Sequence, residues 1–301
     1  MYSEPRLRSQ HSSAPSSART ATRPLRIGMI GLGTVGMGTW NVLTRNRSLI
    51  EARAGRGIEI VAVAARDLQR AASRLGQSAG RHVQMSDDPL QVARHPDVDV
   101  LVEVAGGTGP ARDWVLAALA AGKHVVTANK ALLAIHGEEL ARAAQQQGRQ
   151  LAYEAAVAGS VPIIKTLRES LVANQFQSLV GILNGTSNYI LTRMSDAGLS
   201  FEQALQEAQQ RGYAEADPSF DVDGIDAAHK LTLLAANAFG LAVDVNALHV
   251  EGLRTVRQDD VRAAVELGYA VKLLGVARRT CAGVELRVHP ALVPTRHALA
   301  Q

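Results

Sequence analysis

The feature that most constrains the fold is a glycine-rich turn near residue 31. Residues 25–46, "LRIGMIGLGTVGMGTWNVLTRN", predict a short apolar strand, a tight turn and a helix. Within this context the turn matches G-x-G-x-x-G, in which the first glycine permits the turn, the second admits a pyrophosphate and the third lets helix and strand pack. We expect a dinucleotide to place its phosphates on the free N–H groups of the helix N-terminus; the alternative is a glycine turn without a ligand. The predicted contacts here are Gly31, Gly33, Thr34, Val35 and Gly36.

Further along the chain, apolar stretches alternate with stretches of helical spacing. The apolar stretches are residues 57–67, "GIEIVAVAARD", residues 98–107, "VDVLVEVAGG", and residues 123–129, "KHVVTAN". Helical spacing marks residues 111–121 and 138–147. Strands that are apolar on both faces and alternate with helices predict an α/β fold with a Rossmann-type, doubly wound parallel sheet.

The pattern changes near residue 151, which predicts two domains. Residues 25–150 are predicted to bind the dinucleotide, and residues 151–301 to form an α+β substrate-binding domain. In the second domain we expect a helix at about 201–211 and another at about 226–239. Gly240 is predicted to end the second of these helices.

Composition excludes several classes of protein. The chain has 301 residues, 47% of them hydrophobic and 20% charged, and no apolar run approaches a membrane span. Much of the net charge of +4 lies in the first 26 residues. This stretch is rich in Ser, Arg and Pro, and we predict residues 1–24 to be a disordered tail, with an organelle transit peptide as the alternative. With 4% aromatic residues and no nucleic-acid motif, nucleic acid is not expected as a partner. The single Cys281 is typical of a reducing cytoplasm.

The end of the second predicted strand bears on the choice of cofactor. An acid at this place usually binds the ribose hydroxyls of NAD, whereas an arginine accommodates the 2′-phosphate of NADP. Here Arg66 is followed by Asp67, which favours NADP and leaves NAD possible; the alternative is a plain surface arginine. At the ends of the next two strands, Gly106 leaves room for the nicotinamide, and Lys130 is either a functional lysine or a solvated charge.

Residues 214–230, "AEADPSFDVDGIDAAHK", place five carboxylates before one lysine. An EF-hand alignment puts Lys230 where a bidentate Glu is needed, so a calcium loop is rejected. Asp226 and Lys230 are four residues apart and share a helix face, and the apolar residues after them predict a core helix rather than an exposed ion pair. Asp221 or Asp223 is expected to cap that helix.

With these residues assembled, the chain resembles the homoserine dehydrogenase family from about residue 25 to about residue 297. The resemblance implies an NAD(P)-dependent interconversion of L-homoserine and L-aspartate 4-semialdehyde, a step towards threonine, isoleucine and methionine. It also implies a homodimer formed through the sheet of the second domain. The matching segments are "GLGTVGMG", "VEVAGG", "GKHVVTANKALLA", "YEAAVAGSVPIIK", "GILNGTSNYIL", "GYAEADPSFDVDGIDAAHK" and "ELRVHPALVP".

The resemblance further implies roles for individual residues. Lys230 is the expected proton donor, and Lys130 its partner across the cleft and a cofactor contact. The expected substrate ligands are Glu215, Asp226, Asp221 and Thr186. A monovalent cation such as Na⁺ is expected at Glu154 and at the backbone carbonyls of Val157, Gly159 and Val161.

The sequence also departs from the family, and two other functions stay open. Ser160 stands where glycine is common, and the sequence ends at Gln301, before a further family segment, so we expect a truncated form with impaired cofactor binding and no feedback inhibition by threonine. An aspartate-semialdehyde dehydrogenase would need a nucleophilic cysteine, but Cys281 is predicted between a helix and a strand, away from any nucleophile-like turn. A non-catalytic dinucleotide sensor or scaffold is the remaining alternative.

Overall fold

The computed structural model describes residues 23–76, 82–242 and 244–301. The tail predicted for residues 1–24 lies outside the described residues, except for Arg23 and Pro24. Arg23 pairs with Asp99 at 3.2 Å and accepts hydrogen bonds from the Arg56 guanidinium through its carbonyl oxygen, so it lies against the first sheet. None of the helices in the described ranges is long and apolar enough to cross a membrane.

The predicted parallel sheet is confirmed, with six strands in the order β3-β2-β1-β4-β5-β6. All five neighbouring pairs are parallel, and the order reverses between β1 and β4. That reversal creates a crevice at the carboxyl ends of the strands, the usual ligand site of such sheets. The strands are β1 (Leu25–Ile30), β2 (Ile58–Ala64), β3 (Gln84–Ser86), β4 (Val100–Glu103), β5 (His124–Thr127) and β6 (Leu151–Ala152).

Helices cover both faces of this sheet, as its two-sided apolar strands require. One face packs against α1 and α3 through a cluster that includes Trp40 and Leu75, and the other packs against α4, α5 and α6 through a cluster that includes Val115 and Leu140. The helix α6 begins at Lys130, eight residues before the predicted stretch, because Asn129 caps it there. The helices are α1 (Thr34–Arg45), α2 (Arg47–Ala54), α3 (Leu68–Leu75), α4 (Pro89–Ala93), α5 (Gly109–Ala120) and α6 (Lys130–Gln146).

A second, four-stranded sheet has the order β7-β9-β10-β8. Its centre is a long antiparallel hairpin in which the twelve residues of β9 pair with the twelve of β10. Helices α8, α11 and α12 pack against it around a core that contains Leu231 and Leu273, which confirms the predicted α+β architecture. The strands are β7 (Ser178–Gly181), β8 (His249–Val250), β9 (Tyr269–Thr280) and β10 (Gly283–Pro294).

Both helices predicted in this half are present in the described chain. The first is α9, which ends one residue before the predicted end. The second is α11, which ends at Gly240 as predicted, with this glycine in the left-handed region at φ 68°. The predicted cap of α11 is wrong, because Gly224 occupies the N-cap and no side chain bonds the first turn. The helices are α7 (Ile163–Lys165), α8 (Gly185–Ala197), α9 (Phe201–Gln210), α10 (Ser219–Val222), α11 (Ile225–Phe239) and α12 (Gln258–Glu266).

The division into two domains near Gln150 stays a prediction. The short strand β6, which follows Gln150, pairs with β5 and so adds to the first sheet. Cys281 lies in the exposed turn between β9 and β10, so its predicted place between a helix and a strand is wrong.

Candidate active site

The glycine turn between β1 and α1 has the geometry of a phosphate-binding turn. Gly31 has φ +100°, and a Cβ on it would lie 2.8 Å from the backbone of Ala105. A Cβ on Gly36 would lie 2.0 Å from the carbonyl oxygen of Gly31, so this glycine lets α1 pack against the turn. A Cβ on Gly33 would meet no atom within 4 Å, so there is open space at the helix N-terminus. These are the three roles that the motif predicts.

A cavity of about 810 Å³ lies at this end of the first sheet. Five of the predicted cofactor residues line it: Gly31, Gly33, Thr34, Arg66 and Gly106. Of the other three, Gly36 is buried beneath the turn, Val35 points outward from α1 with 54% exposure, and Lys130 lies beyond the cavity at the start of α6. The cavity is large enough for a dinucleotide-sized ligand.

Arginines dominate the cavity wall at the end of β2. Arg66, Arg70 and Arg74 all line it, and Arg74 donates to the carbonyl of Leu32 at 3.0 Å. The Asp67 carboxylate accepts the Arg70 backbone N–H at 2.9 Å and thereby caps α3. The carboxylate of Asp67, beside Arg66, is therefore already engaged in capping α3. Sequence reasoning missed Arg70 and Arg74, although both lie on the helix that follows the predicted ribose-binding position.

Two lysines from different parts of the chain converge on one buried carboxylate. The Lys130 ammonium lies 2.7 Å from one carboxylate oxygen of Asp226, and the Lys230 ammonium lies 2.9 Å from the other. Lys230 also donates to the carbonyl of Leu183 at 2.9 Å. The structure thus brings together the three residues predicted for the centre of the site. Two ammonium groups and one carboxylate leave a net charge of +1 in this cluster.

The surroundings keep Asp226 ionised. Burial of this side chain, which is 4% exposed, acts to raise its pKa. Hydrogen bonds from Lys130, Asn184 and Lys230 outweigh burial, and the pKa of Asp226 lies below its ordinary value. Asp226 is therefore an anion that holds two cations.

Asn184 ties this carboxylate to a second one. Its side-chain amide donates to Asp221 at 2.7 Å and to Asp226 at 2.8 Å, while its side-chain oxygen accepts the Ser187 N–H and caps α8. Sequence reasoning missed Asn184. An Asn before a helix is a recognisable cap signal in "NGTSNYI", but the contact with Asp226, 42 residues away, has no local signal.

The other predicted substrate ligands are not in contact with the lysine pair. Glu215 is exposed, and its carboxylate has no hydrogen bond or ion pair with any described residue. The Thr186 hydroxyl donates to the carbonyl of Tyr213 at 2.9 Å. Asp217 accepts the Ser219 N–H, and Asp223 pairs with Arg254, so these two acids shape the loop instead.

Two aromatic side chains that sequence reasoning missed, Phe220 and His229, lie near Lys130. Its ammonium lies 5.4 Å from the ring centroid of Phe220, within range of a cation–π contact, and His229 meets the same ring edge-on at 5.3 Å. Burial lowers the pKa of His229, with Lys130 acting in the same direction and Asp226 against it. A neutral imidazole beside Lys130 leaves the charge of the cluster at +1.

The turn expected to hold a cation lies between β6 and α7. The Glu154 carboxylate accepts the N–H groups of Ile164 and Lys165 at 2.7 and 3.0 Å, and the Val161 carbonyl accepts the Ile163 N–H at 2.8 Å. Ser160 adopts φ 66°, a left-handed conformation that favours glycine, at the position where the family commonly has one. The turn is thus built from one carboxylate and several backbone carbonyls.

Comparison with known proteins gives the family. Residues 31–154 match the family described as "Homoserine dehydrogenase, NAD binding domain", and residues 162–301 match "Homoserine dehydrogenase". The chain is 50% identical to homoserine dehydrogenase of Pseudomonas aeruginosa over 278 residues, which cover 92% of this chain and 63% of that protein. The chain therefore spans somewhat less than two thirds of the length of this relative.

Solved structures agree with these matches. A homoserine dehydrogenase from Thiobacillus denitrificans has a TM-score of 0.88 and 51% identity, with 93% of this chain and 64% of that chain covered. The S. aureus homoserine dehydrogenase at pH 6.0 has a TM-score of 0.79 and 36% identity, with 92% of this chain and 69% of that chain covered. The chain belongs to the homoserine dehydrogenase family.

Proposed function

We propose that the protein catalyses the NAD(P)-dependent interconversion of L-homoserine and L-aspartate 4-semialdehyde. The observation that carries the proposal is the convergence of Lys130 and Lys230 on Asp226 beside the glycine-turn cavity. Lys130 directly follows Asn129, whose side-chain amide donates to the carbonyl of Gly107 in the cavity wall at 2.6 Å. The cluster of charge and the dinucleotide cavity are therefore neighbours.

The two ammonium groups of the cluster suit this chemistry. A bound nicotinamide dinucleotide would supply or accept the hydride. As the aldehyde is reduced, its oxygen becomes negative, and an ammonium group of Lys130 or Lys230 stabilises that charge and donates the proton. Asp226 holds both ammonium groups in place, with Lys230 also fixed by the Leu183 carbonyl. Either lysine can take the role of proton donor in this geometry.

The acids around the cluster are suited to a substrate that carries an ammonium group. We assign Glu215 and Asp226 to the substrate amino and hydroxyl groups, with Asp221 and Thr186 beside them. The carboxylate of Glu215 is exposed and unpaired among the described residues, so it is available to a cation. Asp221 lies next to Asp226 through their shared donor, Asn184.

We assign NADP as the preferred cofactor, with NAD as a second one. The support is the arginine-rich wall at the end of β2, where Arg66 and Arg70 line the cavity. Arginine suits a 2′-phosphate because its planar group binds phosphate oxygens in a bidentate manner. Asp67, the acid that would otherwise favour the free ribose hydroxyls of NAD, is engaged in capping α3.

We also propose a monovalent cation at the turn of residues 154–161. Glu154 supplies a carboxylate, and the carbonyls of Val157, Gly159 and Val161 supply neutral oxygens, a set that suits a hard cation of low charge. In the structure Glu154 already orders this turn by accepting two N–H groups at the start of α7. A cation here would reinforce the connection between the two halves of the chain and take no part in hydride transfer.

A homodimer through the second sheet is the proposed assembly. Leu179 and Ala277 face the helix-covered core, so Val180 and Val276, the next residues along paired strands, face the opposite side. Val180 is 46% exposed on that side. A sheet face that carries apolar side chains is suited to a second copy of the same chain.

The test is homoserine-dependent formation of NADPH, followed by absorbance and repeated with NAD. We expect Lys230→Ala to lower kcat by about 10³-fold, since it removes a proton donor and a stabilising charge, while NADPH affinity stays within about two-fold. Lys165→Ala is the matched control, because the side-chain ammonium of Lys165 is exposed and pairs, among the described residues, with Glu169 alone.

The outcomes separate the competing functions. Cofactor binding without turnover in the wild-type chain would contradict the proposal and support a dinucleotide sensor. An activity abolished by a thiol reagent would indicate an acyl-enzyme at Cys281 instead. That result is not expected, because Cys281 lies in the exposed turn of the β9–β10 hairpin.

A further inference from the structure

A fully buried acid, Glu103, lies at the carboxyl end of β4, directly before residues that line the cavity. One carboxylate oxygen accepts the N–H groups of Ala105 and Gly106 at 2.9 and 3.1 Å. The other accepts the hydroxyl of Thr127 at 2.6 Å. No lysine, arginine or histidine among the described residues forms an ion pair with it, so these three hydrogen bonds balance the cost of its burial.

The network continues from Thr127 to the start of α6. The Thr127 hydroxyl oxygen accepts the N–H of Asn129 at 3.0 Å. The Asn129 side chain caps α6 by accepting the Leu132 N–H at 3.1 Å, and its amide donates back to the carbonyl of Gly107 at 2.6 Å. The bonds therefore close a ring that joins the turn of residues 105–107 to the first turn of α6.

Both segments joined by this ring belong to the proposed site. The turn of residues 105–107 lines the cavity at the place where the nicotinamide half is expected, and Gly106 and Gly107 hold φ values of +80° and +81° there. The helix α6 begins with Lys130, whose ammonium contacts Asp226 at 2.7 Å. The ring thus connects the wall of the cofactor cavity to one of the two lysines.

We propose that Glu103, acting through Thr127 and Asn129, is a positioning residue that fixes Lys130 relative to the nicotinamide half of the cavity. This inference rests on the proposed function and adds to it the group that sets the reaction geometry. A displacement of reacting groups by about 1 Å can lower a rate by about 10²-fold. A polar network that spans two strand ends prevents such a displacement, because moving either segment breaks a buried hydrogen bond.

The test uses Thr127, because its side chain can lose the bridging hydroxyl with little change of shape. We expect Thr127→Val to lower kcat by about 30-fold, with the KM for homoserine and the Kd for NADPH changed less than about three-fold. The phosphate-binding turn and the arginine wall are untouched, which is why cofactor affinity is preserved. Thr127→Ser retains the hydroxyl and is expected to restore kcat to within about three-fold of the wild type.

A matched control tests whether the Thr127 hydroxyl contributes only to stability. Thr232 is another buried threonine, and its hydroxyl donates to the Ala228 carbonyl within α11. If Thr232→Val lowers kcat as much as Thr127→Val at the same loss of melting temperature, the positioning role is overturned. It is also overturned if Thr127→Val keeps kcat within about two-fold of the wild type, or if Thr127→Ser fails to restore it.

Hydrogen–deuterium exchange gives a readout that does not depend on turnover. In Thr127→Val we expect the peptides covering residues 103–108 and 127–133 to exchange faster together, because one hydroxyl serves both segments. Faster exchange in only one of the two would overturn the connection. If the wild-type chain oxidises no homoserine but Thr127→Val still shows this joint change, the proposed reaction is contradicted and the connection between the two segments is confirmed.

Discussion

At the scale of single residues, the site depends on one carboxylate shared by two ammonium groups. Each oxygen of Asp226 contacts a different lysine, and Asn184 donates to the oxygen that also contacts Lys230. Hydrogen bonds that involve a charged partner contribute about 1.5–3 kcal/mol each. Without the carboxylate, two ammonium groups of like charge would face each other in a half-buried cleft.

We predict that Asp226→Asn lowers both stability and activity. The unfolding free energy should fall by about 3–5 kcal/mol, because two charged hydrogen bonds are lost and the lysines repel. The kcat should fall by about 10²-fold, because neither ammonium keeps its place. Urea unfolding and initial rates measure the two effects. Asp259→Asn is the control, since Asp259 is an exposed acid paired with Arg262.

The same variant tests the pKa of Asp226, which lies below its ordinary value. Between the folded and unfolded pKa values the unfolded chain binds more protons, so stability rises with pH there. The contribution is complete above the unfolded pKa of about 3.9 and is lost as pH falls through the folded value. Asp226→Asn should therefore reduce the acid dependence of unfolding below about pH 4. An unchanged slope would show that Asp226 is not a stabilised anion.

At the scale of elements, the sequence predicts what is local. The glycine turn, the apolar strands and the end of α11 at Gly240 each have a short-range cause, and the structure contains them. The cap of α11 was predicted wrongly because Asp221 and Asp223 have tertiary partners, Asn184 and Arg254, that compete with the helix N-terminus. The early start of α6 depends on Asn129, a cap that the Ala/Leu spacing alone does not reveal.

Asn184 both caps helix α8 and bonds two carboxylates of the site, and two substitutions separate these roles. Asn184→Ser keeps a capping oxygen for α8 but loses the amide that bonds two carboxylates. Asn184→Asp also keeps a cap, yet places a third carboxylate beside Asp221 and Asp226. We predict that both variants retain α8, since the cap of about 1 kcal/mol survives. Asn184→Asp should lower kcat/KM further than Asn184→Ser, because like charges raise the pKa of Asp226.

Circular dichroism and initial rates measure these two outcomes. If Asn184 both caps α8 and bonds the two carboxylates, helix content stays near that of the wild type in both variants. Equal losses of kcat/KM in the two variants would show that the charge at this position has no effect on Asp226. A loss of helix content with Ser would show that the cap depends on more than the side-chain oxygen.

At the scale of the whole molecule, residue patterns predicted the parallel sheet and the α+β half, whereas the approach of Lys130 to Lys230 was implied only by the family resemblance. Lys130 and Asp226 belong to helices that cover different sheets, and their contact joins the two halves. No periodicity or turn signal encodes such a contact, because these patterns describe only neighbours along the chain. The hydrogen-bond network from Glu103 to α6 was not predicted for the same reason, because its residues follow separate strands.

The uncovered face of the second sheet gives the last prediction. Val180 is half exposed there, beside a surface that carries Arg278 and Arg287. If this face joins two copies, Val180→Arg places a further cation within the interface of each copy, where a desolvated charge without a partner costs about 2 kcal/mol or more. With one such charge from each copy the cost is about 4 kcal/mol, so the dimer dissociation constant should rise by about 10³-fold.

Light scattering over a concentration series measures this change in assembly. Val172→Arg is the matched control, because Val172 is 72% exposed and lies outside the sheet. Dimers that persist unchanged in Val180→Arg would place the interface elsewhere. One copy of the chain supplies Lys130, Lys230 and Asp226. Monomeric Val180→Arg should therefore bind NADPH with wild-type affinity, which distinguishes an effect on assembly from an effect on the site.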